Sequence, residues 1–206
     1  MVKSFNTSNV YNTIASDYDD CFSTISAHLD DFLNLVQPNG KILDVGCGSG
    51  VDSQYMSLKG FDVIGIDNAE QMITLARQKQ SSAKFVLHDI ITWNCESNYF
   101  DAILASYSLI HIPKNKMQSV LKKFNRILKE KGILSISIHE GKSAEVSIPE
   151  PFAPYLTTDL NIMSMGEIKQ LLEINGFSII NCFLEKAVND KEFEDYNKLC
   201  ILAIKN

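Results

Sequence analysis

No apolar run in the chain approaches the length of a membrane span. The first twenty residues, MVKSFNTSNVYNTIASDYDD, lack the apolar centre of a secretory leader, so a cytoplasmic location without membrane contact is expected. Basic residues are in deficit: 19 Lys and Arg against 25 Asp and Glu give a formal charge of −6 at pH 7. Phosphate-binding surfaces show as basic patches, so nucleic acid is not expected as a partner. The densest basic stretch, Lys114 to Lys131, has its charges at helical spacing around an apolar stripe and reads as a solvated helix face. The five cysteines, Cys21, Cys47, Cys95, Cys182 and Cys200, form no C-x-x-C pair. They support neither a disulfide framework nor a zinc site, and no metal is expected. Internal repeats, low-complexity tracts and a second glycine-rich loop are all missing. With 206 residues, 45% hydrophobic and 21% charged, the chain suits one ordinary globular domain.

What is present from Gly40 onward is an alternation of β-like and helix-like segments. KILDVG, FDVIGID, KFVLHD, FDAILASYS and ILSISIHE read as five strands. Helices are expected over GVDSQYMSLKG, over NAEQMITLARQKQ with Asn68 and Gln71 as a capping box, and from about Asn115 to Lys131, ended by Gly132. IITWNCESNY reads as loop and short helix. GKSAEVSIPEPFAPYLTTDLNIM holds three of the five prolines and is expected to be an irregular connection over a pocket. Ser164 and Glu167 open a further helix closed by Gly176. FSIINCFLEK and YNKLCILAIK should pair antiparallel, because AVNDKEFED between them is too short for a helical crossover.

The chemistry concentrates at the end of the first strand, in LDVGCGSG, at the strand edge where parallel α/β sheets bind ligands. A P-loop needs a lysine after its last glycine, and none follows Gly50. A dinucleotide fingerprint needs a glycine where Val51 stands. Asp67 ends the second strand, where a carboxylate can accept from both hydroxyls of a ribose. Asp89 ends the third, where it can accept from an exocyclic adenine amine. Asp44 lies inside the first strand's end, and a buried acid there would suit an ammonium group. Together these residues point to an adenosine-type cofactor bearing an amino-acid group.

ILDVGCGSG, VIGIDNAEQMITLAR, FVLHDI and FDAILASYSLIHIP, in that order, resemble the motifs of the class I S-adenosylmethionine-dependent methyltransferases. LKEKGILSISI is similar to the family's fifth strand, and YNTIASDYDD to the helical preface of its small-molecule members. The resemblance implies an α/β, doubly wound fold: a mostly parallel seven-stranded sheet with a C-terminal antiparallel strand pair and helices on both faces. It implies one domain, with 1–38 as helical preface, 40–140 as cofactor-binding core, 141–163 as substrate lid, and 164–206 as C-terminal helix and strand pair. Gly46, Cys47 and Gly48 are expected against the methionine part of the cofactor. Asp67 is expected on the ribose, Asn68 and Met72 beside the adenine, and Asp89 with Ile90 at its edge. The resemblance puts the Ser106 carbonyl and Asp44 near the amino group, with Tyr11 and Tyr18 closing over the site.

Methyl transfer asks the protein mainly for alignment and a dry pocket, and for a base only if the acceptor must lose a proton. His111 and Tyr107, just past the fourth strand, are candidates for contact with the acceptor or for proton transfer; a helix-capping or core-hydrogen-bonded role for the histidine and an exposed ring for the tyrosine are the alternatives. His139, Phe152 and Tyr155 are candidates for lining the acceptor's space. His28 and His88 read as structural. The segment SYSL lacks the [DNS]-P-P-[YFW] pattern of enzymes that methylate amino groups on bases or glutamine, which leaves a small-molecule acceptor as the expectation. A cofactor-binding module without turnover and a nucleotide-dependent oxidoreductase are the other classes weighed.

Overall fold

Strands that are apolar nearly throughout must be covered on both faces. The computed structural model, which describes residues 7–186 and 196–206, shows how this is achieved. Its nine strands are β1 (Lys41–Val45), β2 (Asp62–Asp67), β3 (Lys84–Leu87), β4 (Phe100–Ser106), β5 (Leu128–Glu140), β6 (Ala144–Glu150), β7 (Ala153–Ile162), β8 (Phe177–Glu185) and β9 (Asn197–Lys205). Seven make one sheet in the order β3-β2-β1-β4-β5-β9-β8, and β6 pairs with β7 in a separate hairpin. β1 to β5 run parallel, and β9 is antiparallel to both β5 and β8. The helices are α1 (Thr7–Cys21), α2 (Leu29–Leu33), α3 (Val51–Leu58), α4 (Glu70–Gln78), α5 (Lys114–Ile127) and α6 (Met165–Ile174). This is the doubly wound, mostly parallel sheet expected from the sequence.

Strand side chains alternate between the faces, and the core divides accordingly. Leu43, Ile103 and Ala105 join Leu121 and Phe124 of α5 and Leu172 of α6 on one side. Ile42, Ala102 and Leu104 meet Phe32 of α2 and Met56 of α3 on the other. Register places Leu43 opposite Ile64 of β2 and Ile103 of β4, so the carboxyl ends of these strands share one edge. Strand order reverses between β1 and β4, and the crevice opens there. α1 closes this edge, with Val10 and Ile14 against Ala153 of β7 and Ala15 against Ala69 and Met72.

The structure departs from the sequence reading in several places. α5 ends at Ile127, four residues early, and the chain enters β5 at Leu128. The ladder slips between Phe100–Leu128 and Ala102–Ile133, Lys131 takes φ 62°, and Lys129 reaches back to pair with Asp101 at 2.8 Å. α4 is not opened by Asn68; Ala69 precedes it without a side-chain cap, and the Gln71 N–H donates to Asn12 Oδ1 of α1 at 2.9 Å. The segment after β3 forms turns, with no helix. Lys123 and Arg126 are not merely solvated: Lys123 Nζ donates to the carbonyls of Ile90, Ile91 and Trp93 at 2.5–2.9 Å, and Arg126 holds Cys95 O at 2.8 Å. The proline-bearing connection is mainly the ordered hairpin β6–β7, because AEVSIPE alternates in burial like any half-buried strand. The link AVNDKEFED, residues 187–195, lies outside the described residues.

Candidate functional site

β1 delivers the chain into the loop 46–50, where Gly46 and Gly48 take φ 68° and 53°, conformations that cost little only for glycine. The N–H groups of Gly46 and Cys47 both donate to Ile66 O of β2, at 2.8 and 3.0 Å. The Gly48 N–H donates to Asp67 Oδ2 at 3.0 Å, and Ala69 N–H donates to Asp67 Oδ1 at 2.8 Å. The two motifs read separately from the sequence are thus one physical unit. A Cβ on Gly46 would stand 2.5 Å from Ser108 Cβ, whereas one on Gly48 would meet only Tyr18 Cε1, at 3.9 Å. Gly46 is therefore bare for packing and Gly48 faces open space.

That space is a cavity of about 700 Å³. Of the candidate catalytic, cofactor-binding and substrate-binding residues, all but Tyr155 line it. Tyr155 is 79% exposed on β7 and is not brought to the cavity. Met72 and Ile90 are buried, and Asn68 is exposed at the rim. Asp89 is half-buried, with Oδ1 taken by the Ile91 N–H at 2.7 Å.

Three carboxylates face this space from the β1–α3–β2 unit, and burial pushes each of them toward its neutral form. Asp44 is pushed up to about 8, chiefly by burial and next by the charge of Asp52, although Ser53 Oγ donates to its Oδ2 at 2.6 Å. In Asp67 burial outweighs the three backbone N–H bonds that favour the charged form. Asp52, in the first turn of α3, was not foreseen. Ser26 donates to it twice, from N at 2.8 Å and from Oγ at 2.5 Å, and Ser26 Oγ also lies 2.7 Å from Ser106 Oγ. Ser26 thereby fastens the segment between α1 and α2 across the ends of β4 and α3. No spacing in the sequence signals that contact.

A further part of the lining is aromatic. Phe152, Phe22, Tyr18, Tyr11 and His111 follow one another with ring centroids 6.2, 4.5, 5.7 and 5.2 Å apart. Tyr11 Oη lies 2.8 Å from His111 Nε2, and His111 Nδ1 lies 3.2 Å from Asp159 O. A carbonyl only accepts, so Nδ1 carries the proton and Nε2 accepts from the tyrosine. Burial lowers His111 to about 4 and raises the Tyr11 hydroxyl well above its usual value, so both are neutral at pH 7. Tyr18 and Tyr107 are each pushed up to about 12 by burial, and His139 is lowered to about 4 by burial and the nearby His111. Tyr107 takes φ 51°, and its ring centroid is 5.2 Å from that of His139. Cys47 is a buried thiol whose pKa burial raises, which leaves it inert as a nucleophile.

The hairpin supplies two further residues that the sequence reading missed, Glu150 and Thr158. A signal for the first existed: Val146, Ile148 and Glu150 occupy alternate, inward positions of β6, so the acid stands on the apolar face.

Residues 42–132 match the family model described as Methyltransferase domain. "Putative methyltransferase YqeM" of Bacillus subtilis is 33% identical over 70% of this chain and 62% of its own length. The carboxy-S-adenosyl-L-methionine synthase of Campylobacter concisus is 30% identical over 69% of this chain and 67% of its own. The chain thus spans about two thirds of the length of these relatives. A solved S-adenosylmethionine-dependent methyltransferase of Methanosarcina mazei superposes with a TM-score of 0.74 at 21% identity, over 84% of this chain and 95% of that one. At that identity the likeness is one of fold.

Proposed function

The chain belongs to the class I S-adenosylmethionine-dependent methyltransferases, and from that premise we propose that it methylates a small-molecule acceptor. The observation that carries the reading is Asp67 hydrogen-bonded to the Gly48 N–H at the cavity's rim, beside a glycine whose missing side chain leaves room for a ligand. When bound, S-adenosylmethionine supplies a sulfonium methyl group that a nucleophile takes by in-line displacement.

The residues present fit that ligand. Asp67 keeps a second lone pair on each oxygen and can accept from both ribose hydroxyls. In this reading Gly46, Cys47 and Gly48 pack on the methionine part, Asn68 and Met72 lie beside the adenine, and Asp89 and Ile90 meet its edge. Asp44, Asp52 and the Ser106 carbonyl favour the positive charges of the amino group and the sulfonium, and their crowding in the free protein is relieved by that cation. Tyr11 and Tyr18 close the site and exclude water. His139, Phe152 and the neutral Tyr11–His111 pair face the acceptor, and Tyr107 adjoins them. No helix among the described residues is long and apolar enough to cross a membrane. The reading carries a single domain in the cytoplasm, supported by five cysteines that are all free thiols.

Calorimetric titration with S-adenosylmethionine and S-adenosylhomocysteine, followed by a metabolite screen for methylated products, tests this function. Binding together with a product that gains one methyl group is expected. Absence of cofactor binding to the folded protein would overturn it.

A further inference from the structure

Glu150 is a carboxylate outside the β1–α3–β2 unit, carried by the hairpin that completes the cavity. It is 6% exposed, and its Oε2 accepts from Thr158 Oγ1 at 2.6 Å. Among the described residues that hydroxyl is its one side-chain partner, and no ion pair includes it. A carboxylate buried this far with one neutral partner is costly, and a cation arriving in the cavity relieves the cost.

The neighbouring wall favours the same charge. Tyr11, Tyr18, Phe22 and Phe152 present consecutive rings, whose faces attract ammonium groups. Glu150 pairs across the hairpin with Ala153, which packs with Tyr11, Tyr18 and Phe152, and this places it beside the wall. Lys116 and Lys198 also line the cavity, from α5 and β9, and neither is among the ion pairs of the described residues with Glu150. A neutral hydroxyl compound would leave the carboxylate's charge uncompensated, and an acidic one would be repelled.

We propose that Glu150 is the recognition carboxylate for the acceptor, and that the acceptor is a small amine bound as its ammonium against the aromatic wall. The proposal rests on reading the cavity as a methyltransferase site.

The test uses protein saturated with S-adenosylhomocysteine and two matched pairs of probes, 2-phenylethylamine with 2-phenylethanol and ethanolamine with ethylene glycol, plus 3-phenylpropanoate. Calorimetry should show each amine binding at least tenfold more tightly than its alcohol, and the carboxylate weakest. Glu150→Gln should abolish the amine's advantage while S-adenosylhomocysteine affinity stays within twofold. Thr158→Val, which keeps the charge, should retain the preference. Equal binding of amine and alcohol to the unaltered protein, a comparison that needs no variant to fold, would overturn the proposal, as would a preference that survives Glu150→Gln. Failure of S-adenosylhomocysteine to bind would overturn the methyltransferase reading itself, so the two failures are distinguishable.

Discussion

Tyr11 of α1 donates a hydrogen bond to Nε2 of His111, one hundred positions later in the chain, at 2.8 Å. This bond ties the preface helix to the turn after β4, and both partners are neutral because both are enclosed. The pair is held on its far side by Asp159 O of the hairpin. Three separate segments therefore meet at one imidazole.

Tyr11→Phe removes the donor and leaves the ring. Methyl transfer should fall about tenfold, the rate equivalent of losing one positioning hydrogen bond of about 1.4 kcal/mol. Cofactor affinity, read by calorimetry, should change less than about threefold. Because His111 is lowered to about 4, its ring proton shifts in an NMR titration should stay flat from pH 5 to 8 in the unaltered protein.

Asp44 sets a pH dependence of its own. In the free folded protein it titrates at about 8, against 3.8 ordinarily. Between those values the unfolded chain has released a proton that the folded chain keeps, so this group's contribution to stability is full below about 4 and declines as pH rises toward 8. Thermal melting of Asp44→Asn against the unaltered protein from pH 5 to 8 should show the variant losing that decline. A cationic ligand binds the ionised form, so cofactor affinity should rise across pH 6 to 8 in the unaltered protein and stay nearly level in Asp44→Asn.

Asp67→Ala deletes the acceptor of the backbone N–H bonds from Gly48, Ala69 and Asn68 as well as the proposed ribose contacts. Charge-assisted hydrogen bonds contribute about 1.5–3 kcal/mol each, so cofactor affinity should drop by about a hundredfold or more. Calorimetric titration measures it, and Asp67→Asn, which keeps one acceptor oxygen, should fall between.

Gly46 is crowded by Ser108 and Gly48 is open, so alanine acts differently at the two positions. Gly46→Ala drives a methyl group to 2.5 Å from Ser108 Cβ at a positive φ, and should lower the melting temperature strongly. Gly48→Ala meets no close atom and should cost about 1 kcal/mol in stability, while losing cofactor affinity by an order of magnitude or more. Melting curves paired with titrations of both variants decide between these roles.

The readable parts of the sequence were those governed by near neighbours. Ser164 caps α6 by accepting from the Glu167 N–H at 3.2 Å, as the local spacing required. The same spacing failed at α4, because Asn12 arrived from another helix to take the Gln71 N–H. The helix before β5 ended early because pairing with β4 claimed Leu128, a competition that periodicity does not register. Lys123 looked solvated by its position on a charged face, yet three carbonyls of the loop after β3 lie within its reach.

By itself the sequence determined the layered α/β fold, the strand edge at which ligands collect, and the glycine and aspartate residues gathered there, because alternating apolar segments and turn residues act over a few positions. Tertiary structure decided which of those residues touch. Only folding brought Gly48 to Asp67, Ser26 to Asp52 and Ser106, Tyr11 to His111, and Glu150 to an aromatic wall drawn from α1, the segment that follows it and the hairpin. Contacts between segments tens of residues apart are fixed by packing and burial, and packing is a property of the whole chain.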